Sequence, residues 1–562
     1  MNAPIGQTLA AAGLIGQDQL HIALHEQHRR HRPFGRVCVE LGFIDEAMLR
    51  DALSQRLGRQ AVKLADVVVD PTTLALVPET LARRHDLLPI AHDPESGALT
   101  VAMADAHDIV ALDALRAAGL RPLPAIAAEA EIRDAIDRLY GQKIAIDDIL
   151  RELESATPAA LHAATRENGH PLKRLVDALL VEAVKAGASD IHFEPEAGFL
   201  RVRYRIDGIL HQTRALHLEH WPPMAVRIKV MAGLNVAESR APQDGRVSLT
   251  VAGRPVDFRV STLPTLHGEN VVLRILDRQR GIVPLDEIGF DAARLALAQR
   301  MLARPQGLIL VTGPTGSGKT TTLYAMLDRL DDEAVNIMTL EDPVEYPMAR
   351  LRQTPMGEVA RIDFAAGVRA MLRQDPDILL VGEVRDAETA AMALRAAMTG
   401  HRVFATLHAN DTIGALPRLV DLGLRPQMLA GNLNGVVAQR LVRRLCPACK
   451  RLAPASEKER QLLGLPPAAD GEISLAHAVG CPACGGRGYR ERLPLFEMLC
   501  IDDALDECIA AAASPAAIAR VARARGYLDL ADDGRRKALA GDTSPQELLR
   551  VLGPLAPASE RP

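Results

Sequence analysis

Between Gly313 and Thr320 the chain reads GPTGSGKT, three glycines followed by lysine and threonine. Glycines at 313, 316 and 318 let a backbone wrap closely around phosphate oxygens, so its amide donors and the start of the next helix meet negative charge. This spacing predicts that Lys319 reaches the outer phosphates of a bound nucleotide and that Thr320 is a magnesium ligand. Gly313, Pro314, Thr315, Gly316, Ser317, Gly318, Lys319, Thr320 and Thr321 form the candidate cradle for the nucleotide's phosphates. A plain strand-to-helix turn has no need of Lys followed by Thr at this offset, and an apolar strand before and a helix-forming stretch after supply the required context.

Binding a nucleotide is not hydrolysing it. Hydrolysis needs one carboxylate to orient water and another to hold the metal. Two apolar runs deliver acids at their ends: NIMTLEDPVEY carries Glu341, Asp342 and Glu345, and PDILLVGEVRD carries Glu383. Acids at strand ends of an open sheet converge on the ligand crevice, although such acids are also common as solvated caps. His408 in VFATLHAND follows a third apolar run; a lone histidine is more often a hydrogen-bonded structural residue than a proton carrier.

Seven cysteines fit a reducing compartment, and four of them make two identical knuckles, Cys446-Pro-Ala-Cys449 and Cys481-Pro-Ala-Cys484. Two separated pairs supply a full set of ligands for a tetrahedral zinc, whereas a redox site needs one pair at a helix start. With all four positions filled by protein the zinc is expected to be structural, contributing on the order of 10 kcal/mol to local folding. Cys38, Cys500 and Cys508 read as buried apolar residues.

The elements that position these residues come from a chain of 562 residues, long enough for several cores. It has 71 acidic against 66 basic residues and 3% aromatics, which argues against bulk attraction to nucleic acid and against base-stacking surfaces. No secretory leader pattern and no long apolar run is present, so a cytoplasmic location is expected. Residues 1–60 carry a repeat offset by 29 positions: Gly6, Gly13, Leu20 and Gln27 against Gly35, Gly42 and Leu49, with Ile15 and Ile44, Ala23 and Ala52, Leu24 and Leu53 in register. Such a repeat predicts paired helical hairpins. Residues 61–140 alternate strand and helix signals, a small mixed α/β domain (N1), and residues 141–170 read as a linker. Residues 171–280 open on an amphipathic helix and continue as alternating strands around Asp-Gly and Ala-Gly turns, an α+β domain (N2). Residues 281–445 repeat strand, loop and helix with near-continuous apolar strands, the pattern of a parallel sheet covered on both faces. Residues 446–490 hold the cysteines, and residues 491–562 are expected to be a helical C-terminal part.

GPTGSGKTTTLY, LEDPVEY, LRQDPDILLVGEVRDAET and ATLHAND resemble, in that order, the Walker A, Asp box, Walker B and His box of secretion ATPases of the GspE/PilB type. SDIHFEP, RVRYRIDG, APQDGR and RVSTLPTLHGENVVLRILD extend the resemblance upstream and AQRLVRRLCPAC downstream, covering roughly Leu172 to Cys484, and VPETLARRHDLLPI extends it more loosely towards the N-terminus. The resemblance implies an α/β fold: a RecA-like P-loop ATPase domain, a preceding PAS-like α+β domain, small N-terminal domains and a tetracysteine zinc element. It implies a homohexamer in which the smaller domain closes over nucleotide. Lys319 and Thr320 take the Walker A roles, Glu341 is the water-activating base, and Glu383 takes the Walker B role at magnesium. His408 matches the His-box histidine, Arg259 and Arg274 match arginines that reach the phosphates from the upstream domain, and Arg369, Arg373 and Arg385 match further motif arginines. GHRVFATLHAND and GYRERLPLFEMLCID depart from the usual family wording, which touches coupling rather than hydrolysis.

The N-terminal repeat resembles the cyclic di-GMP-binding MshEN domain of some of these ATPases. Its two copies start Pro4-Ile5-Gly6 and Pro33-Phe34-Gly35 where that motif has Arg-Leu-Gly, and loss of both arginines argues against cyclic di-GMP binding. The expected function is a motor ATPase powering pilus assembly or type II secretion at the cytoplasmic face of the inner membrane. Its implied partners are an inner-membrane platform protein and a membrane-recruiting assembly protein, with no nucleic acid. A nucleotide-gated adaptor with little turnover and a nucleic-acid translocase are the alternatives.

Overall fold

The computed structural model describes residues 61–106, 108–140, 146–155, 171–277, 282–356, 363–465 and 473–555, with residues 6, 9, 10, 12, 14–30, 34–44, 48 and 52 of the N-terminal segment. The chain divides into two units, Met1–Gln279 and Arg280–Pro562.

In the first unit the N-terminal segment is helical at Gln17–Arg30 and Phe34–Glu40, with Leu9, Ile15, Ala23, Val37 and Ile44 in a small core. Repeat positions Pro4, Ile5, Gly13, Pro33, Leu49 and Leu53 lie outside the described residues. Strand β1 (Val67–Val68) precedes a three-stranded sheet of β2 (Leu87–His92), β3 (Ala98–Met103) and β4 (Arg121–Ile126), ordered β2-β3-β4. Next come β5 (Ala188–Pro195), β6 (Phe199–Ile206), β7 (Ile209–His217), β8 (Gln243–Val251), β9 (Arg254–Thr265) and β10 (Gly268–Asp277). They form an otherwise antiparallel sheet, β1-β8-β9-β10-β5-β6-β7, with β1 parallel to β8. Alternation buries one face, where Phe193, Tyr204 and Phe258 meet the helices Pro171–Lys185 and Trp221–Met231.

Part of the stretch read as a linker is helical. Ile146–Ser155 is a helix, because Ile146, Ile149, Leu150 and Leu153 recur at helical spacing and make a stripe too short to stand out in sequence. Ile149 and Leu153 are buried in the core beneath the antiparallel sheet, and Arg174 donates to Glu152 at 2.6 Å.

The second unit is built on β11 (Gly307–Thr312), β12 (Ile337–Glu341), β13 (Arg352–Pro355), β14 (Ile378–Val381), β15 (Arg402–Leu407), β16 (Leu433–Leu445) and β19 (Tyr489–Cys500). The order is β13-β12-β14-β15-β11-β16-β19, parallel throughout except for the antiparallel β16–β19 pair. Every residue of β11 and β14 is buried, as expected of central strands covered on both faces. Tyr489–Cys500 corrects the expectation of a purely helical C-terminal part: the chain returns to the main sheet after the cysteines. The buried run Leu493, Leu495, Phe496, Met498 and Leu499 holds it there, and the charged residues Arg490, Glu491 and Arg492 masked the signal. A small pair, β17 (Arg451–Pro454) with β18 (Ser474–His477), lies in the intervening excursion. No described helix is long and apolar enough to cross a membrane.

Candidate active site

Strand β11 ends at Thr312, and the loop that follows turns directly into the helix Lys319–Leu330, whose N-cap is Gly318. The first amides of that helix have no intrahelical acceptor, which makes its start a ready site for an anion. Gly313 has φ of 144° and is hemmed in: a Cβ there would lie 2.5 Å from the Gln439 carbonyl and 2.7 Å from Ser317 Oγ. Ser317 is buried and its hydroxyl has no hydrogen-bond partner among the described residues, an orphaned donor that a phosphate oxygen would satisfy. Lys319 Nζ donates to the carbonyls of Gly313 at 2.8 Å and Pro314 at 3.1 Å, folded back over the loop. Burial, with Arg440 nearby, holds its pKa below the usual lysine range against the opposing pull of Glu383.

The acids arrive from the neighbouring strands. Glu341 is the last residue of β12 and only 4% exposed; Glu383 follows β14 by two residues. Thr320, Glu341 and Glu383 line one cleft with Asp342, Glu345 and Thr406, a space of about 90 Å³. Oxygen donors from a hydroxyl and two carboxylates are the set that suits magnesium with part of its water shell.

Glu383 is engaged on both oxygens, by His408 Nε2 at 2.5 Å and by Arg385 Nε at 2.6 Å. His408 is half exposed, and its loop is pinned from two sides. Thr406 Oγ1 donates to the Gly382 carbonyl at 2.6 Å, and Thr312 Oγ1 accepts from the Ala409 amide at 2.8 Å. Arg369 pairs with Glu388 at 2.6 Å and Arg373 donates to the Arg369 carbonyl, both on the helix Phe364–Met371 or just beyond it. Five residues that sequence reasoning passed over belong to this neighbourhood. Tyr324, Thr339 and Gln353 donate to Glu341, and Gln439 and Arg440 back the glycine loop. Arg440 donates to the Asn410 carbonyl at 2.8 Å. Tyr324, Thr339, Gln439 and Arg440 sit in a helix or strands whose apolar pattern accounts for their positions, and Gln353 lies on the short edge strand β13, so only the fold marks them.

Arg259 and Arg274 belong to the first unit, on adjacent strands and directly opposite one another in register. Arg274 Nε lies 3.2 Å from Asp190 Oδ1. Arg246 is the partner of Arg259 on β8, so three guanidinium groups share one row across the sheet.

The four knuckle cysteines converge, with all four sulfurs within 4.8 Å of one another. Cys446–Cys481 and Cys449–Cys484 are 3.9 Å apart and Cys481–Cys484 3.8 Å. Thiolates about 2.3 Å from a tetrahedral zinc stand about 3.8 Å from one another, so the group could hold that ion. The backbone amides of Gly480, Cys481 and Gly488 donate to these sulfurs at 3.2–3.3 Å, which favours thiolate. Of the other three cysteines Cys38 is buried, and burial pushes its thiol up to about 11; Cys500 and Cys508 are partly buried.

Comparison with known proteins extends over nearly the whole chain. The type II/IV secretion system protein family model matches residues 165–550. The Type IV pilus assembly ATPase PilB of Myxococcus xanthus is 40% identical over 570 residues, covering 99% of this chain and 100% of that protein. The chain belongs to the type II/IV secretion system protein family. Other secretion ATPase relatives are the Type II secretion system protein E of Pseudomonas aeruginosa, 47% identical over 72% of this chain and 80% of that protein, and the Type II secretion system ATPase E of Vibrio cholerae, 45% identical over 68% and 76%. An MshEN domain model matches residues 57–146. That stretch is the one read as the small mixed domain, whereas the sequence resemblance to MshEN rested on the repeat of residues 1–60. As a member of this family of secretion ATPases, the chain carries its glycine loop, paired acids and histidine at the C-terminal ends of the parallel strands β11, β12, β14 and β15.

Proposed function

We propose that this protein hydrolyses ATP as a motor that powers pilus or pseudopilus assembly, in type IV pilus biogenesis or type II secretion. The observation that carries the reading is the single cleft lined by Thr320, Glu341 and Glu383 beside the glycine loop. Residues Gly313 to Thr321 grip the polyphosphate through backbone amides, and Lys319, released from the carbonyls of its own loop, moves to the outer phosphates. Thr320 and Glu383 hold magnesium, which when bound neutralises charge on the outer phosphates. Glu341 orients the attacking water and accepts its proton. His408 and Arg385 restrain Glu383 and report on the outer phosphate by exchanging partners with it.

Arg259 and Arg274 are the arginines read as supplying positive charge to the outer phosphates. The working form is a homohexamer on the cytoplasmic face of the inner membrane, docked to a platform protein and a recruiting assembly protein. Zinc on Cys446, Cys449, Cys481 and Cys484 is structural. Steady-state phosphate release tests the reading: Lys319→Ala and Glu341→Gln should each lose at least ~100-fold in kcat. Wild-type protein that binds ATP with magnesium and platform protein present but releases no phosphate would favour a nucleotide-gated adaptor instead.

A further inference from the structure

Glu341 is enclosed by donors from three directions. Thr339 Oγ1, two residues back on β12, donates to Oε1 at 2.6 Å. Gln353 Nε2, from the edge strand β13, donates to the same oxygen at 3.2 Å. The hydroxyl of Tyr324 donates to Oε2. An ionised carboxylate offers about four acceptor positions, so these bonds leave one for a water.

Tyr324 differs from the other two in where it is rooted. It lies on the helix Lys319–Leu330, four residues after Thr320, so one face of one rigid helix carries both the hydroxyl aimed at the cleft and the phenol that grips the carboxylate. Its ring is 2% exposed and packs edge-on against Tyr346, with centroids 6.4 Å apart. Gln353 Nε2 also lies 3.3 Å from the Tyr324 hydroxyl and 3.1 Å from the Tyr346 carbonyl, so the phenol has no slack to rotate away. Burial, reinforced by Glu341 itself, pushes the phenol well above its ordinary pKa, and it remains a donor throughout the working range.

We propose that Tyr324 is a positioning residue for hydrolysis: its hydroxyl locks the Glu341 carboxylate at a fixed distance from Thr320, so the base and the phosphate loop move as one piece. This rests on the reading of Glu341 as the water-orienting base. Misplacing a reacting group by about 1 Å costs on the order of 100-fold in rate, which sets the scale of the effect.

Tyr324→Phe keeps the ring and its packing and removes only the hydroxyl. Expected are a ~10- to 100-fold drop in kcat, a KM for ATP and an affinity for a non-hydrolysable ATP analogue close to wild type, and an unchanged melting temperature. In a Glu341→Gln background the same change should add nothing further, because Tyr324 acts through that carboxylate. Wild-type kcat for Tyr324→Phe overturns the proposal, as does a loss of analogue affinity or of melting temperature in step with activity, which would make the phenol part of the cradle or only part of the core. So does an additive loss in the double variant. If Glu341→Gln alone keeps full turnover, the assignment of the base is what has failed, and the two failures are told apart.

Discussion

Gly313 and Gly316 look interchangeable in the motif, yet they answer to different constraints. Gly316 has φ of 75° with nothing within 4 Å of a built Cβ, so alanine there meets only backbone strain, about 1–2 kcal/mol. At Gly313 a Cβ also collides with the Gln439 backbone, which cannot swing aside as a side chain can. Gly316→Ala is therefore expected to weaken ATP-analogue binding by about 5- to 30-fold, and Gly313→Ala to abolish it, as measured by fluorescence titration. The glycine motif was legible because amide donors and lysine must recur at fixed offsets. What backs it was not: Gln439 and Arg440 approach from β16, more than a hundred residues later in the chain, and no local pattern announces that approach.

Among the elements, the cysteine excursion makes the clearest forecast. Cys446 and Cys484 are buried, and the segment around them is sewn to the C-terminal helices by Lys450 Nζ to the Gly541 carbonyl at 2.7 Å and by Tyr489 to Ser544 at 2.7 Å. Removing zinc should loosen that attachment and lower the calorimetric melting temperature of the second unit by ~5–10 °C, with one zinc per chain measured beforehand by elemental analysis. A chelated protein that melts unchanged would mean that the sulfurs are held by the fold alone. The knuckles were readable from spacing. The helix Ile146–Ser155 was not, because ten residues carry too few turns for the period to rise above a linker's noise, and its stripe is decided by packing on the core of the antiparallel sheet.

For the whole molecule, buried carboxylates of opposite behaviour set the response to pH. Asp533 is wholly enclosed; burial raises its pKa, but Lys537, Arg294 and the Phe496 amide outweigh that and hold it below the usual carboxylate range. Glu547, between Arg550 and Arg443, is held low in the same way. Groups with depressed pKa values contribute stability above their unfolded values near about 4, and that stability is lost as pH falls through the folded values. Glu497 is the reverse: burial raises it despite bonds from Tyr527, Thr412 and Leu530, so its contribution is complete below the ordinary glutamate value and is lost as pH rises through its folded value. Thermal melts across pH 3–8 should show the second unit failing at the acid end. Asp533→Asn should soften that acid limb and Glu497→Gln should flatten the decline on the other side. Asp533→Ala, which removes the buried carboxylate shared by Lys537, Arg536 and Arg294, is expected to cost about 3–5 kcal/mol. Four of the parallel strands, β11, β12, β14 and β15, could be read directly, since strands buried on both faces are almost uninterrupted apolar runs. Strand β19 could not, because its first half is charged and its place is fixed by a partner on the far side of the cysteines.

That pairing has a consequence for how such a chain could be altered. Leu445 and Tyr489 face each other across β16 and β19, so everything from Cys446 to Gly488 leaves and re-enters the sheet at a single point. The metal knuckles thus lie on an excursion that starts and ends at one clasp of the sheet, and side chains of that excursion tie it to the C-terminal helices. Shortening or lengthening that excursion should therefore leave the register of the strands that carry the glycine loop and the paired acids unchanged.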